Sequence, residues 1–287
     1  MFIIQLAGGL GNQLFQFAYG RSLSIRYNQE LKFDLRFLVK ANQHSGYALD
    51  QFCYEPVIAS KDDLFYFPMI TSSLAERMKS VINPILNVTT EVGMDYSEKY
   101  IKEINTKKHL YRGYWQAEKY FKDFEEQIRR DLVFRYANVY DSLSIISEIK
   151  SCNSISIHIR RGDYISNPAA ASIYYQCSEE YYSRAIDYMM ERVSEPVFFV
   201  FSDDIDYAKL LFTRYGDRFR YVDSTSSPYE DMYAMSCCQH NIIANSTFSW
   251  WGGWLNNNDG KINVFPREWF INPQMTHNIY PSNSIKV

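Results

Sequence analysis

A regular alternation of strand-like runs and helix-like segments fills the second half of this chain and restricts its fold more than any other feature. Residues 197–201 are continuously apolar, as expected of a parallel strand that is covered on both faces. Further strand-like runs at 155–159, 241–244 and 262–265 are separated by segments with the spacing of amphipathic helices. This order of elements predicts a doubly wound α/β fold built on a parallel sheet.

A glycine-rich turn near the start of the chain predicts a second unit of the same kind. An apolar run leads into A-G-G-L-G-N-Q at 7–13, and a helical pattern follows. Gly9 and Gly11 would let a ligand approach the backbone, and the helix amino terminus would favour an anion. The turn matches neither the G-x-G-x-x-G nor the G-x-x-x-x-G-K-[ST] phosphate-loop pattern. A tight turn in a Rossmann-like half is the alternative, but the amides of Asn12 and Gln13 favour a binding role.

The remaining first half is less regular, and the chain divides into two domains. We predict a strand at 109–115 and an amphipathic helix at 118–132. A chain of 287 residues is long enough for two compact domains. We place them at 1–147 and 148–270, both Rossmann-like, and we treat 271–287 as a C-terminal tail.

Composition excludes several classes of protein. The chain has 30 basic and 33 acidic residues, so no basic excess indicates a nucleic-acid partner. The five cysteines are odd in number and form no C-x-x-C pair, which favours a reducing compartment. The chain shows no signal peptide and no apolar run of about 20 residues, the length that spans a bilayer. We therefore expect a cytoplasmic protein.

The strand at 155–159 runs directly into a cluster of charge. Its alternating pattern places His158 and Arg160 on the same face, and Arg161, Gly162 and Asp163 follow where the strand should end. Ligands of open α/β sheets bind at the carboxyl ends of the strands. Because a guanidinium can bind phosphate oxygens with two hydrogen bonds, two adjacent arginines predict a pyrophosphate site. The alternative is a structural arginine–aspartate ion pair at the edge of the sheet.

A second polar strand end follows the apolar run at 197–201. It consists of Ser202, Asp203 and Asp204, whose carboxylates would accept hydrogen bonds from a guanine edge or from ribose hydroxyls. The alternative is the acidic first turn of the next helix. Asp204 and Asp206 also match the D-x-D pattern of metal-dependent glycosyltransferases. We expect no metal cofactor, because the arginines can neutralise a diphosphate and no set of oxygen ligands stands out.

A third polar strand end lies at N-S-T-F-S, residues 245–249. Hydroxyl groups and backbone N–H groups at a helix amino terminus bind phosphate oxygens, and simple helix capping is the alternative. We take all five residues as candidates for substrate binding: Asn245, Ser246, Thr247, Phe248 and Ser249.

Four segments together resemble the bacterial α-1,2-fucosyltransferases, glycosyltransferase family 11. They are G-G-L-G-N-Q-L-F-Q-F-A at 8–18, H-I-R-R-G-D-Y at 158–164, F-S-D-D at 201–204 and N-I-I-A-N-S-T-F-S-W-W-G at 241–252. The segments span nearly the whole chain in the order of the family. The H-x-R-R-x-D pattern is shared with α-1,6- and protein O-fucosyltransferases, whereas S-T-F-S-W-W is more particular to the α-1,2 group.

The resemblance implies a GT-B architecture, in which an acceptor-side domain and a GDP-fucose-binding domain face a cleft. It implies GDP-β-L-fucose as donor, a galactoside as acceptor and no essential metal. By this analogy Arg160 would contact the diphosphate, while His158 and Asp203 would hold the guanosine portion. Thr247 and its neighbours would cover the phosphate, and Asn12 would be the working residue of the glycine turn.

The implied reaction inverts the anomeric carbon of fucose as the galactose 2-hydroxyl displaces GDP. Asp163 is a candidate general base, although it is favoured more as a residue that orients the arginines. A dissociative reaction needs little base assistance, since a leaving-group oxygen can take the proton. His44, Asp34 and Glu55 are further candidates without support from the sequence.

Three other functions remain open from the sequence. They are a fucosyltransferase of another linkage, a GDP-sugar-binding module without catalysis, and a Rossmann oxidoreductase, which the broken glycine pattern disfavours.

A lipid-linked acceptor would bring the enzyme to the inner face of the membrane without an anchor. The natural acceptor is expected to be a galactose-terminated polysaccharide, O-antigen or oligosaccharide.

Overall fold

The chain folds into two compact units, each with a parallel sheet. The computed structural model describes residues 1–41, 46–67, 87–102, 104, 106–162, 171–272 and 278–287. One unit is built from Met1–Arg135 and also contains Asn278 and Ile279, and the other begins at Tyr136 and includes Tyr280–Val287. The strands named below pair only in parallel, so both units have the α/β architecture predicted from the sequence.

The first unit carries a four-stranded sheet. Its strands are β1 (Phe2–Gln5), β2 (Leu31–Asp34), β3 (Val88–Thr90) and β4 (His109–Arg112), in the order β2-β1-β4-β3. Among its described residues the helices are α1 (Leu10–Tyr27), α2 (Arg36–Ala41) and α3 (Glu125–Asp131), with 3₁₀ turns at Glu98–Tyr100, Glu118–Tyr120 and Lys122–Phe124. The predicted strand at 109–115 therefore ends early, and the predicted helix at 118–132 is broken into two 3₁₀ turns and α3.

The second unit carries a six-stranded sheet. Its strands are β5 (Asn153–Ile159), β6 (Pro196–Ser202), β7 (Phe219–Tyr221), β8 (His240–Ile242), β9 (Asn263–Phe265) and β10 (Ile285–Lys286), in the order β10-β9-β8-β5-β6-β7. The helices in the described part of this unit are α4 (Ala137–Tyr140), α5 (Ser144–Lys150), α6 (Glu179–Met190), α7 (Ile205–Phe212), α8 (Pro228–Cys237) and α9 (Thr247–Leu255), with a 3₁₀ segment at Thr213–Arg218.

Strand β6 is buried on both faces, as its continuous apolar run predicts. Phe198 and Val200 belong to the core cluster that contains residues of α6 and α7. Phe199 and Phe201 belong to a separate cluster that contains residues of α5 and α8. Helices thus cover both faces of this sheet, which is the doubly wound arrangement.

The division between the units lies earlier than the position predicted from the sequence. It falls between Arg135 and Tyr136 rather than at 147/148, because Ile145 and Ile149 of α5 pack in the same core cluster as Phe201 of β6. The segment predicted as a tail also contributes to the sheet, since β10 pairs in parallel with β9.

The described part of the chain contains neither a membrane-spanning helix nor a disulfide. No helix among these residues is long and apolar enough to cross a bilayer. All five cysteines are free, and burial raises the pKa of the Cys177 thiol to about 12.

Burial of His109 in β4 makes the stability of the protein depend on pH. Burial lowers the pKa of His109 to about 4, and Nε2 lies 2.8 Å from the Thr89 hydroxyl. As the pH falls below 6.5, His109 becomes protonated in the unfolded chain but stays neutral in the folded protein. The free energy of unfolding therefore decreases until about pH 4, where the folded imidazole also binds a proton. Between pH 7 and pH 5 we expect the free energy of unfolding to fall by about 2 kcal/mol more in the wild type than in His109→Gln.

Urea unfolding of both proteins at the two pH values measures this difference. His158 is present in both proteins, so its own titration cancels in the comparison. Equal losses of stability in the wild type and in His109→Gln would contradict the assignment.

Candidate active site

The register of the second sheet brings three polar strand ends to the same edge. Ile159 of β5 lies opposite Ser202 of β6, and Ile157 of β5 lies opposite Ile242 of β8. Because all three strands run in the same direction, the segments that follow them leave the sheet on the same side. The strand pairing therefore brings three segments to one edge of the sheet, as predicted: the arginine turn, the aspartate pair and the N-S-T-F-S turn.

Asp203 holds the arginine turn together. Its Oδ2 accepts from Arg160 Nη1 at 2.8 Å and from the Gly162 backbone N–H at 3.0 Å, while Oδ1 accepts from the Arg161 N–H at 2.9 Å. The side chains of Arg160 and Asp203 are each about one-quarter exposed, so both are accessible to a ligand. The ion pair that was the alternative interpretation of this turn is thus present, and the same carboxylate also accepts from the backbone N–H groups of the turn.

Arg161 is held in a different way from Arg160. Its Nε donates to Asp204 Oδ2 at 3.0 Å, and its Cζ lies 3.5 Å from the centroid of the Tyr207 ring. A guanidinium over an aromatic face gains a cation–π interaction in addition to its ion pair. Arg161 is consequently fixed against the start of α7. Tyr207 was not singled out from the sequence, because its contact depends on the pairing of β5 with β6.

Ser202 and Asp204 are engaged in beginning α7. Asp204 is the N-cap residue, and its Oδ1 accepts from the Tyr207 N–H at 3.1 Å. The Ser202 hydroxyl accepts from the Asp204 N–H at 2.9 Å. Both carboxylate oxygens of Asp204 therefore have protein donors. Ser202 and Asp204 thus hold the strand end, and the ligand contacts expected of them stay predictions.

His158 is a buried, neutral imidazole behind the arginine turn. Burial, with a smaller contribution from the charge of Arg160, lowers its pKa to about 3. Its Nδ1 has no hydrogen-bond partner among the described residues, and its ring lies 5.6 Å from the ring of Phe248. An unsatisfied buried acceptor or donor costs stability, and Nδ1 of His158 is such an atom among the described residues.

Two residues of the N-S-T-F-S turn are buried and hold the turn itself. The Asn245 amide donates to the backbone oxygens of Tyr175 and Trp269, and its Oδ1 accepts from the Cys177 thiol at 3.6 Å. The fully buried Ser249 hydroxyl donates to Ala244 O at 3.4 Å. Asn245 and Ser249 thus hold the turn, and the ligand contacts expected of them stay predictions.

The other three residues of this turn lie at the start of α9. Ser246 is the N-cap residue, and its hydroxyl accepts from the Phe248 N–H at 3.3 Å. Thr247 and Phe248 are partly exposed in the first turn of the helix. They are the members of the turn whose side chains a ligand can reach.

In the first unit, the glycine turn presents one amide and buries the other. Gly8 adopts a left-handed φ of 74°, and a Cβ on it would lie 2.5 Å from Asn12 Nδ2. Asn12 is partly exposed, and its Oδ1 accepts from Gln116 Nε2 at 2.8 Å. Gly9 is the N-cap residue of α1, and Gly11 is buried within the first turn of the helix.

Gln13 is fully buried and forms hydrogen bonds with the loop that contains Gly46 and Ala48. Its Nε2 donates to Gly8 O at 2.9 Å and to Gly46 O at 2.8 Å, and its Oε1 accepts from the Ala48 N–H at 2.9 Å. These contacts give Gln13 a structural role in the turn, and the binding role expected of it stays a prediction.

The candidate bases predicted from the sequence fall into two groups. Asp163 and His44 lie outside the described residues. Asp34 is fully buried and forms a bidentate ion pair with Arg36, with both distances 2.9 Å. Glu55 is exposed and lies 3.8 Å from Arg135. Asp34 and Glu55 thus gain no support as bases from their surroundings.

No metal-binding cluster is found in the part of the chain that the structure describes. None of its groups of three or more histidine, cysteine, aspartate or glutamate side chains has the arrangement of a metal site. The first aspartate of the D-x-D pattern, Asp204, caps α7 and pairs with Arg161.

Comparison with solved structures shows the fold class. The Arabidopsis thaliana protein FUT1, determined in complex with GDP, is similar with a TM-score of 0.52 and 14% identity over 91% of this chain and 69% of that chain. Two α/β units with parallel sheets and this likeness define the GT-B class of glycosyltransferases, which confirms the predicted fold class.

The chain belongs to glycosyl transferase family 11, whose family model matches residues 1–285. The α-1,2-colitosyltransferase of Escherichia coli is 38% identical over 93% of this chain and 92% of its own length. The O-antigen biosynthesis glycosyltransferase WbnK of Escherichia coli is 33% identical over 92% of this chain and 93% of its own. The family predicted from the four motifs is confirmed, and the protein is a glycosyltransferase.

Proposed function

We propose that this protein transfers L-fucose from GDP-β-L-fucose to the 2-hydroxyl of a terminal galactoside, with inversion to an α-1,2 linkage. The observation that carries the proposal is the arginine turn, where Asp203 holds the partly exposed Arg160 guanidinium at the carboxyl edge of the sheet. A guanidinium positioned in this way is suited to the diphosphate of a nucleotide sugar. The GDP complex of FUT1 and the O-antigen role in the name of WbnK support a GDP-sugar donor and a glycan acceptor.

Arg160 is the residue proposed to stabilise the leaving group. As the bond between fucose and phosphate breaks, negative charge grows on the β-phosphate oxygens, and a positioned guanidinium stabilises that charge. Thr247 and Phe248, at the exposed start of α9, are proposed to lie over the phosphates. His158 is proposed to supply its unpaired Nδ1 to the guanosine portion. Its imidazole is neutral because burial and the nearby charge of Arg160 lower its pKa.

The proton of the acceptor hydroxyl is proposed to leave late in the reaction. In a dissociative displacement the sugar carries positive charge before the new bond forms, so the attacking hydroxyl needs little activation. A leaving phosphate oxygen then serves as the proton acceptor. Asp163 stays a candidate base, and its placement lies outside the described residues.

A colitosyl donor is the second candidate. It is favoured by the 38% identity to a protein named as an α-1,2-colitosyltransferase. The same diphosphate site would serve both donors, because the nucleotide and the leaving phosphate are unchanged. The two candidates differ only in the sugar that the acceptor receives.

We expect incubation with GDP-fucose and lactose to yield an α-1,2-fucosylated product, and we expect EDTA to leave the rate unchanged. The guanidinium takes the place that a divalent ion would have in neutralising the diphosphate. Parallel reactions with GDP-colitose, with and without EDTA and added Mg²⁺, measure the donor preference, and NMR of the product gives the linkage.

Each other outcome identifies a different function. A faster reaction with GDP-colitose would favour the second candidate, and another linkage would revise the acceptor position. Binding of GDP-fucose without transfer or hydrolysis would indicate a binding module, and loss of activity in EDTA would contradict metal independence. A lipid-linked acceptor, and contact with the membrane through it, stays a prediction that the same assay with vesicle-borne acceptor tests.

A further inference from the structure

A partly buried carboxylate, Glu91, lies directly after strand β3 in the first unit and was not singled out from the sequence. Its backbone N–H donates to Arg112 O at 2.8 Å, which extends the pairing of β3 with β4 by one residue. Its side chain therefore starts from a fixed position at the carboxyl edge of the sheet. This is the edge at which the glycine turn follows β1.

The carboxylate of Glu91 receives two backbone hydrogen bonds from the turn after β4. Its Oε2 accepts from the Tyr114 N–H at 2.7 Å and from the Trp115 N–H at 3.0 Å. Gly113 makes this approach feasible, because a Cβ there would lie 2.5 Å from Glu91 Cβ and 2.6 Å from Oε2. Hydrogen bonds to an ionised acceptor are about twice as strong as neutral ones.

The turn that Glu91 holds has an unfavourable backbone conformation. Trp115 adopts a φ of 55°, in the left-handed region, while its side chain is fully buried and stacked on Tyr19 at 4.1 Å. A bulky residue pays a conformational penalty in this region, so surrounding contacts must hold it there. The two hydrogen bonds to Glu91 are contacts of this kind.

The turn leads directly to Asn12. Gln116, the next residue, is buried, and its Nε2 donates to Asn12 Oδ1 at 2.8 Å. Gln16 Nε2 donates to Gly113 O at 3.0 Å, so α1 also contacts the turn. Because Oδ1 of Asn12 accepts from Gln116, the amide is oriented with Nδ2 as its donor end.

We propose that Glu91 is a positioning residue, which fixes the turn at 113–116 so that Gln116 orients the amide of Asn12. The inference rests on the proposed function, in which the Asn12 amide contacts the donor sugar or its diphosphate. Glu91 touches no reacting atom and acts through Gln116. Displacement of a working group by about 1 Å costs on the order of 10²-fold in rate.

We expect Glu91→Ala to lower kcat about 10²-fold with little change in KM for GDP-fucose. Glu91→Gln keeps an oxygen that can accept both N–H groups, so it should restore most of the lost rate. In an Asn12→Ala background, Glu91→Ala should have little further effect, because the group that it positions is absent. Asp131→Ala is the matched control, since it removes a carboxylate of the same unit that pairs with Arg21 at 2.7 Å.

Three results would overturn the proposal. They are an unchanged kcat in Glu91→Ala, equal loss in the Asn12→Ala background and in the wild type, and equal loss in Glu91→Gln and Glu91→Ala. The Asn12 side-chain amide resonance, identified by its loss in Asn12→Asp, gives a readout that needs no catalysis. Glu91→Ala and Gln116→Ala should both shift it, while Asp131→Ala should not. If the wild type makes no product, the proposed function fails, and this resonance alone decides whether Glu91 positions Asn12.

Discussion

Arg160→Ala should lose transfer activity by about 10²–10³-fold while the protein stays folded. The guanidinium is about one-quarter exposed and anchored to Asp203 at 2.8 Å, so it is held in place before a ligand arrives. Arg160→Lys should lose nearly as much, because an ammonium group lacks the planar fork that contacts an aspartate and a phosphate together. Initial rates with saturating donor and acceptor, together with thermal unfolding, measure the effect.

Arg220→Ala is the matched control for this prediction. Arg220 lies in the same unit and forms an arginine–carboxylate pair of the same length, 2.8 Å, with Glu148, but it lies at the surface away from the arginine turn. Its loss should leave the rate unchanged. Activity of Arg160→Ala near that of the wild type would exclude Arg160 from the reaction.

Asp203→Asn should lower kcat about 10²-fold without weakening the binding of GDP. The asparagine amide keeps one acceptor oxygen, but an NH₂ group replaces the other. That NH₂ group then faces other donors, either backbone N–H groups or the Arg160 guanidinium, and cannot accept their hydrogen bonds. The arginine turn should therefore lose its fixed geometry. Loss of the negative charge also removes a competitor for the guanidinium, so affinity for the diphosphate should be equal or greater.

Steady-state kinetics and calorimetric titration with GDP separate these two effects. Asp141→Asn is the control, because Asp141 accepts from Lys150 and from the Tyr233 hydroxyl at 2.7 Å in the same unit. A tenfold or greater loss of GDP affinity with unchanged kcat would show that Asp203 holds the nucleotide directly, as the family resemblance implied.

The fold was predictable where one local signal decides the structure. The apolar run of β6 has neighbours on both faces. The S-P-Y-E pattern at 227–230, a capping box with proline at the first helical position, begins α8 with Ser227 as its N-cap. The division between the units was not predictable in the same way. The apolar residues of α5 read as a helix face in either unit, and only their packing with Phe201 assigns them to the second.

The candidate site shows the same limit. Sequence patterns located all three strand ends, because polar residues directly follow apolar runs. They did not separate exposed side chains from those that hold the turn, since Asn245 and Gln13 carry the same amide as Asn12 yet are buried and engaged with backbone groups. Glu91 was missed because its role depends on the neighbouring β4 turn, which follows it by more than 20 residues.

The pairing of each arginine with an aspartate also bears on how a substrate arrives. Arg160 with Asp203, and Arg161 with Asp204, contribute no net charge at this edge of the sheet. Long-range attraction of an anion depends on net charge and is screened beyond about 8 Å at physiological salt. Capture of a nucleotide sugar at this edge would therefore be governed by short-range exchange of hydrogen bonds, and its association rate would vary little with ionic strength.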